Sequence, residues 1–492
     1  MAPPSHCHAT NGGGAPQHNG ANAVDAPVTR SARLLDAEEF RRHGHLVVDF
    51  IADYYAGLGE YPVHPSVSPG FLRHHLPVEP PSPPEPAFDA ALQDVRNSPR
   101  HFAHFPASSS TVGALGEAPP PVNVVPFTWA SSPAATELEM VVVDWLGKAI
   151  HLPESLLFAG GGGGTILGTT CEAILSALVA AGPQARGDRE DRIGDLVVYC
   201  SDQTHFAFCK AARIAGIRRE HCREIPTYRD DTFALSPTEL QAAMQRDVDA
   251  GLVPLFLCAT IGTPPDRHPV GELCAVAALH GRVHVDAAYA GSALVCPEFR
   301  GWLLANNDCC VMWVRTPSAL VAALGTEQEY ILKDAAAEGV VDYKDWGMTL
   351  TRRFRALKVW LVLRCYGVEG LREHVRSHVR MAAAFEGMVR ADARFEVVTP
   401  RRFALVCFRL RSPKNYRFAG GEKSANELNR RLLEEVNAAS SGPYMSSGKV
   451  GGVYMLRCAV GSTLTEERHV REAWKAVQDR ATSILRKMET IM

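Results

Sequence analysis

The sequence predicts an α/β protein with a mostly parallel central sheet and a smaller α+β domain at its carboxyl end. The short apolar segments Val197–Cys200, Leu255–Ala259 and Val283–Val285 have the length and composition of buried strands, and helical segments lie between them. Parallel strands that are covered by helices on both faces show such continuous apolar runs. The 492 residues are 46% hydrophobic and 21% charged, which provides enough apolar side chains for more than one core.

The composition excludes several classes of protein. The 51 basic and 54 acidic residues give a net charge of −3, so we expect no general binding surface for nucleic acid. No uncharged apolar run reaches the roughly 18 residues of a membrane span. The 13 cysteines are scattered, never spaced C-x-x-C, and no secretory signal precedes them, so we expect reduced thiols in the cytoplasm. His6-Cys7-His8 has no further ligands at zinc-site spacing, and we expect no metal there.

The amino-terminal part divides into two segments. Residues 1–30, rich in Gly, Ala, Pro and Asn, are predicted to be a disordered tail. In residues 31–115, Asp36 and Glu39 fit a capping box at the start of a helix, and proline-rich sequence follows through residue 86. The helix carries an apolar stripe of Phe40, Val47, Phe50, Ile51, Tyr54 and Leu58. This segment has too little core to fold alone, so we expect it to wrap its own large domain or a partner subunit.

Capping and breaking residues predict the remaining helices of the large domain, residues 116–366. Ser236-Pro237-Thr238-Glu239 combines an N-cap, a proline at the first helical position and a capping-box glutamate, and Gly251 ends that helix. Further helices are predicted at Leu273–Leu279 and Arg353–Tyr366, and a helix at Gly370–Arg390 follows in the small domain.

The small domain, residues 367–492, is predicted from alternating and helical apolar patterns. Its strands are expected at Glu396–Val398, Phe403–Leu410 and Val453–Ala459, and its helices at Ala425–Ala438 and Glu466–Lys487.

A glycine run in the large domain suggests a phosphate-binding loop. Gly160–Gly164 precedes Thr169, Thr170 and Cys171, which open a helix at Ala173–Ala181. Glycines allow close approach of a ligand to the backbone, and a helix N-terminus offers unpaired N–H groups and a positive dipole end. No Gly-Lys-Ser/Thr follows, so this is not a Walker loop. The alternative is a flexible loop that a threonine caps.

Two further side chains lie where predicted strands end. His205 closes Ser201–His205 after the strand at 197–200, where an imidazole can stack on a flat ligand; its alternative is a capping or packing role. Asp286 follows the strand at 283–285 among small apolar residues, where a carboxylate requires a cation. A protonated pyridine nitrogen is one such cation, and an arginine is the alternative.

The three features are more specific together than separately. Ligands bind at the carboxyl ends of strands in such sheets. A phosphate cradle, a stacking histidine and a buried aspartate at that edge together describe a pyridoxal 5'-phosphate site.

The chain closely resembles the plant aromatic L-amino-acid decarboxylases, the tyrosine and tryptophan decarboxylases of the group II pyridoxal phosphate family. The resemblance covers essentially everything after residue 30. Its motifs are Phe102–Ser109, Phe127–Glu139, Gly168–Ala173, Ser201–His205, His284–Ala293, Val341–Trp346 and Arg352–Trp360. It implies a type I aminotransferase-like fold and an intertwined homodimer, with the proline-rich segment clasping the partner and the active site at the interface.

The resemblance also implies roles for individual residues. Thr170 and Cys171 would hold the phosphate, His205 would stack on the ring, and Asp286 with Ala288 would line it. Pro106 would shape the substrate pocket. Tyr330 matches the catalytic tyrosine that returns a proton to carbon, where related acetaldehyde synthases carry Phe. Thr351 occupies a position at which a hydroxyl favours a phenolic substrate. The implied reaction releases carbon dioxide from tyrosine or dopa, in preference to tryptophan, and yields the arylalkylamine.

The sequence departs from the family at the lysine that holds the cofactor covalently. Both flanks match, but Arg300-Gly301 runs directly into Trp302, and no lysine occurs between Asp286 and Lys333. Pro119–Pro121 and Pro264 mark further departures. The sequence therefore predicts a poorly active or inactive decarboxylase. The alternative is a non-catalytic paralogue that pairs with an intact decarboxylase as a heterodimer.

Overall fold

Strands and helices alternate along the chain as the apolar pattern predicts. The computed structural model describes residues 36–57, 67–84, 88–89, 91, 94, 126–186, 190–228, 233–262, 270–298, 309–326, 341–412, 421–438 and 442–490. The helices in these ranges are α1 (Ala37–Ala56), α2 (Phe71–His75), α3 (Pro133–Ala149), α4 (Thr170–Arg186), α5 (Ala207–Ile214), α6 (Pro237–Asp249), α7 (Val270–Ala278), α8 (Pro317–Leu324), α9 (Arg355–Ala391), α10 (Glu422–Asn437) and α11 (Glu467–Thr490). The strands are β1 (Gly163–Leu167), β2 (Leu196–Ser201), β3 (Cys222–Ile225), β4 (Val253–Thr260), β5 (Arg282–Asp286), β6 (Cys310–Val314), β7 (Phe395–Val397), β8 (Leu405–Leu410), β9 (Ser446–Val450) and β10 (Val453–Ala459).

A four-stranded parallel sheet of order β3-β2-β4-β5 forms the centre of the large domain. Successive side chains of β2 face opposite sides, so Val198 packs beneath α4 and α5 while Val197 and Tyr199 pack against α6 and α7. The sheet is therefore covered on both faces, which confirms the prediction from the apolar strands.

A second, two-stranded sheet lies beside the first. In it β1 pairs antiparallel with β6, with Gly163 opposite Val314 and Leu167 opposite Cys310. Helix α4 packs against strands of both sheets. Within the described residues, no strand pairs with the outer edge of β5 or with the edge of β6 that faces away from β1. In the described part of the chain, the central layer is thus interrupted between β5 and β6.

The small domain is one antiparallel sheet of order β7-β8-β10-β9, packed against α9, α10 and α11. Its core contains the aromatic side chains Phe385, Phe395, Phe408 and Trp474, whose rings meet mostly edge to face. Helix α9 joins the two domains, and Gly367 interrupts it with φ 63°.

The described part of the proline-rich segment packs on its own chain. Main-chain N–H groups of Gly70 and Leu72 donate to the Glu137 carboxylate at 2.7 and 2.9 Å, and the Trp145 indole donates to the Pro77 carbonyl at 2.9 Å. Helix α1 buries Phe50 and Tyr54 but leaves Phe40 67% exposed. The described residues include no helix with both the length and the apolar character that crossing a bilayer requires.

Most predicted elements are confirmed within a few residues. Asp36 caps α1 through bonds from Glu38 and Glu39, and the Ser236 hydroxyl accepts from Glu239 N–H at 3.3 Å at the start of α6. The sequence analysis missed the strands β1, β3, β6 and β9 and the helices α2, α3, α5 and α8. The residues 1–30 tail and Pro119–Pro121 lie outside the described residues.

Candidate active site at the carboxyl edge of the sheet

The amino end of α4 is built as a capping box. Thr169 Oγ1 accepts from the Glu172 N–H at 3.2 Å, and the Glu172 carboxylate accepts from the Gly168 N–H at 3.0 Å. The helix begins at Thr170, which is half-buried, and Cys171 is exposed. The first-turn N–H groups of these two residues face no intrahelical acceptor, which is the arrangement that binds a phosphate.

The glycine run itself does not cradle a ligand, and that part of the prediction is wrong. Gly163 and Gly164 are the first residues of β1 and are buried. A Cβ on Gly164 would lie 2.6 Å from Val143 Cγ1 and 2.7 Å from the Met312 carbonyl oxygen. These glycines allow close packing inside the protein, and the helix start at residues 168–171 remains as the candidate phosphate site.

His205 lies in the turn between β2 and α5, on the solvent side. Thr204 fixes this turn, because its Oγ1 accepts from the Ser201 N–H at 3.1 Å. The His205 Nδ1 accepts from the Ala207 N–H at 3.3 Å, which orients the ring. The Phe206 ring, 75% exposed, lies 4.2 Å from the imidazole, centroid to centroid. An exposed, oriented ring at a strand end favours the stacking role over the packing alternative.

Asp286 is the last residue of β5 and is 5% exposed. Its Oδ1 accepts from the Ala288 N–H at 3.0 Å, and Ala288 is itself exposed at the mouth of the edge. No ion pair joins Asp286 to an arginine or lysine of the described ranges. Burial lowers the pKa of the neighbouring His284, although the Asp286 charge raises it in part, so His284 does not supply a full cation. The arginine alternative is therefore not observed in these residues.

Contacts between strand ends bring the three features to one edge. Thr260 lies opposite Asp286 in the register of β4 and β5, and its hydroxyl donates to Thr204 Oγ1 at 3.4 Å. The Cys310 thiol at the start of β6 hydrogen-bonds Thr170 and lies within electrostatic reach of Asp286. Burial raises the pKa of Cys310 to about 11, so this thiol stays protonated. Sequence reasoning missed Thr204, Thr260 and Cys310, although each lies at an end of a strand.

Thr351 is exposed just before α9, and a buried cluster holds the segment that carries it. Its neighbour Arg352 pairs with Glu139 at 2.6 Å and donates to Thr165 Oγ1 at 2.9 Å. The Arg352 guanidinium also lies 4.5 Å from the centre of the Tyr343 ring. No hydrogen bond or ion pair of the described residues joins Thr351 to Asp286. Pro106 and Tyr330 lie outside the described residues.

The side chains present fit three parts of pyridoxal phosphate. The α4 start offers phosphate donors, His205 offers a ring face, and buried Asp286 offers a partner for a protonated ring nitrogen. The site lacks the fourth part, an amine in the connection from β5 to β6. Lys344 is not available to supply this amine, because its Nζ is buried and donates to both Asp345 oxygens at 2.7 Å. Lys333 lies outside the described residues.

The chain belongs to the pyridoxal-dependent decarboxylase family, whose conserved domain matches residues 92–411. Its fold is that of the fold type I pyridoxal phosphate enzymes, and pyridoxal phosphate is the family's cofactor. The family resemblance and the predicted fold class are thereby confirmed.

Individual relatives narrow the class to carboxy-lyases of aromatic amino acids. A tyrosine decarboxylase of Oryza sativa subsp. japonica is 74% identical over 532 residues, which cover 99% of this chain and 100% of the relative. The crystal structure of Oryza sativa TDC with PLP and tryptamine matches with a TM-score of 0.71 at 42% identity, over 92% of this chain and 99% of that one. Catharanthus roseus tryptophan decarboxylase with L-tryptophan matches with a TM-score of 0.69 at 44% identity and the same coverage.

Proposed function

We propose that this chain is a decarboxylase of the tyrosine and dopa type whose turnover is strongly impaired by the loss of one strand and its lysine. The tyrosine preference is supported by the relatives. The one named a tyrosine decarboxylase is 74% identical, whereas those solved with tryptamine or tryptophan are 42% and 44% identical. The Thr351 hydroxyl is exposed and can hydrogen-bond a phenol.

Each proposed residue has a defined task toward the cofactor and substrate. Thr170 and Cys171 would hold the phosphate with first-turn N–H groups, and His205 would cover one ring face. The Asp286 carboxylate would keep the ring nitrogen protonated, because a buried carboxylate without another cation stabilises that proton. When bound, pyridoxal phosphate supplies a sink for the electron pair that carbon dioxide leaves behind.

The substrate side depends on residues that the family resemblance assigns. Tyr330 would return a proton to the carbon that lost carbon dioxide, and Pro106 would shape the pocket for the aromatic ring.

The interruption between β5 and β6 is the observation that carries the impairment. Both strands have an open edge in the described residues, and both lie beneath α4. β6 begins at the edge where β5 ends, so one more strand parallel to β5, followed by a tight turn into β6, would complete the layer. The sequence lacks a lysine in this connection.

The alignment with the Oryza sativa relative supports a lost segment. It spans 532 positions, 40 more than the 492 residues of this chain. Those positions have no counterpart here. By motif match they include the segment between Arg300 and Trp302, which would carry both the missing strand and the lysine.

Restoring the segment tests the proposal. We expect a chimera that inserts the Oryza sativa segment between Arg300 and Gly301 to raise kcat/KM for tyrosine and dopa by about a thousandfold or more, because covalent catalysis depends on that amine. Tryptophan should be turned over more slowly. Carbon dioxide release and borohydride trapping of a lysine–cofactor adduct are the measurements. A trappable adduct in the unmodified chain, or turnover equal to that of the chimera, would refute the impairment.

A matched control separates the strand from the amine. The same chimera with its lysine changed to alanine should regain thermal stability without regaining activity. If that control is fully active, the strand alone accounts for the defect.

A second candidate function is that of a non-catalytic partner in a dimer. It is favoured by the exposed apolar side chains of α1, Phe40 and Val48, which are 67% and 62% exposed and available to a second subunit. We infer a homodimer or a heterodimer with an intact paralogue. Co-expression with such a paralogue should yield a stable mixed dimer, whose mass light scattering would measure. If this chain stays monomeric both alone and in the presence of the paralogue, the partner role is excluded.

We also propose a cytoplasmic location. All twelve described cysteines are free thiols, as expected in a reducing compartment. Fractionation of cells that express a tagged chain should recover it in the cytosol, and recovery in the secretory pathway would contradict the proposal.

A further inference from the structure

Three cysteines meet on the face of the central sheet that α5 covers. Cys200 lies near the end of β2, Cys222 begins β3, and Cys209 lies in α5. Their sulfur atoms all lie within 4.8 Å of one another, and Cys209 Sγ is 3.2 Å from Cys222 Sγ. A carboxylate lies beside the group, since Glu224 Oε1 is 3.4 Å from Cys209 Sγ.

The fold fixes these four side chains on rigid elements. In the parallel register of β2 and β3, Val198 lies opposite Cys222 and Cys200 lies opposite Glu224. Residues two apart on a strand share a face, so Cys222 and Glu224 project together toward α5. Helix α5 is held on that face by Phe208, which is fully buried in the same core as Val198 and Cys200.

We propose that Cys200, Cys209, Cys222 and Glu224 bind a zinc ion. This site goes beyond the proposed decarboxylase function and does not depend on it. Zinc prefers four ligands in a tetrahedron, with zinc–sulfur distances of about 2.3 Å and zinc–oxygen distances of about 2.0–2.2 Å. Such a tetrahedron has sulfur–sulfur edges of about 3.8 Å and sulfur–oxygen edges of about 3.5 Å. The three sulfur atoms already lie within 4.8 Å of one another, and rotation of the exposed Glu224 side chain would bring its carboxylate to the fourth position.

The burial of the group suits a structural metal site. Cys200 is 1% exposed, whereas Cys209 and Cys222 are half-buried, so an ion has a route of entry. Thiolates are soft ligands that select zinc over magnesium or calcium. The Arg213 Nε donates to the Cys209 carbonyl at 3.4 Å, which places a positive group beside a ligand set of net negative charge.

Metal binding would also hold a residue of the candidate active site. Cys209 lies in the first turn of α5, four residues after His205 in the preceding loop turn. A metal that joins β2, β3 and α5 would fix the turn that carries His205. His205 is thus connected to the metal through one short segment, and the metal acts as a positioning element.

The test is metal titration of the full-length chain, kept reduced by a phosphine. Cobalt serves as a spectroscopic probe. We expect one cobalt ion per chain with a thiolate-to-metal charge-transfer band, displacement of that band by zinc, and a higher Tm with zinc. Cys209→Ser and Glu224→Gln should each weaken binding by at least about tenfold. Cys274→Ser is the matched control, because this half-buried thiol lies in α7, outside the cluster, and should bind as the unmodified chain does.

Several outcomes would overturn the site. These are the absence of a thiolate band, binding that Cys209→Ser leaves unchanged, and equal losses in Cys209→Ser and Cys274→Ser. Circular dichroism will show whether the metal-free Cys209→Ser chain is folded. If it is not, Cys209→His decides, because histidine keeps a zinc ligand at that position. Retained one-to-one binding in that variant supports the site, and its loss refutes it.

Discussion

The small-domain sheet and the central sheet differ in what their outer strands are made of. The small-domain sheet ends on β9, whose Ser446, Ser447 and Lys449 are exposed and polar, as natural edge strands are. The central sheet ends on one side with β3, which carries Arg223 and Glu224. On its other side it ends with β5, Arg282–Asp286, whose apolar Val285 is 37% exposed.

The difference shows that β5 exposes an apolar side chain, Val285, in an edge position, although charged residues stand at its two ends. Edge strands of stable sheets carry charges or are short, because an open apolar edge invites pairing with another chain. Three of the four outer strands of the two larger sheets follow this rule, since β7 is only three residues long. β5 follows it only in part, since Arg282 and Asp286 are charged but Val285 between them is 37% exposed. The comparison can be tested by asking how much stability each sheet gains from its core.

The largest expected loss of stability comes from the core of the small-domain sheet. Trp474 is 5% exposed and contacts the rings of Phe385, Phe395 and Phe408. Trp474→Ala should lower the free energy of unfolding by about 3–5 kcal/mol, because it removes a large buried ring and leaves a cavity. Urea unfolding followed by circular dichroism is the measurement. The control Trp474→Phe should lower the free energy of unfolding by less than half as much as Trp474→Ala. A loss below about 1 kcal/mol for Trp474→Ala would show that this core is loosely packed.

An intermediate effect is expected in α9, the helix that the two domains share. His374 is 8% exposed and its ring lies 4.2 Å from that of His378. Burial lowers the pKa of His374 to about 4. At pH values between about 4 and the ordinary histidine pKa of about 6.5, this histidine is protonated in the unfolded chain but neutral in the folded one. Stability should therefore fall, by about 1–3 kcal/mol, as the pH drops from 7 toward 4.

The histidine prediction has a direct control. The difference between the urea midpoints at pH 7 and pH 5 should be smaller in His374→Gln than in the unmodified chain, because glutamine cannot take up the proton. If the variant and the unmodified chain lose stability equally on acidification, then other groups govern the effect.

Local patterns predicted most of the fold, and contacts between distant residues account for what was missed. Continuous apolar runs identified β2, β4 and β5, and capping residues located α1 and α6, because these signals lie within a few residues. β1 was missed because its glycines signal a loop until Val143 and Met312 are seen to pack against them. β9 was missed because an edge strand lacks apolar alternation.

The candidate site shows the same division. Thr170, His205 and Asp286 each follow a recognisable strand or open a helix, so the sequence could place them at one edge. The buried pair of Arg352 and Glu139, 213 residues apart, and the meeting of Cys200 with Cys209 and Cys222 depend on the tertiary fold. No pattern in the sequence marks them.

The smallest expected effect tests the open edge itself. Val285→Ala in the unmodified chain should change the free energy of unfolding by less than about 0.5 kcal/mol, since the side chain is partly exposed and no described strand pairs with the outer side of β5. In the chimera the same substitution should cost about 1–2 kcal/mol, because the restored strand would bury this side chain. Val198→Ala, in the interior strand β2, should cost similar amounts in both proteins. If Val285→Ala already costs as much as Val198→Ala in the unmodified chain, then the outer side of β5 is covered there by a neighbour that this chain already has.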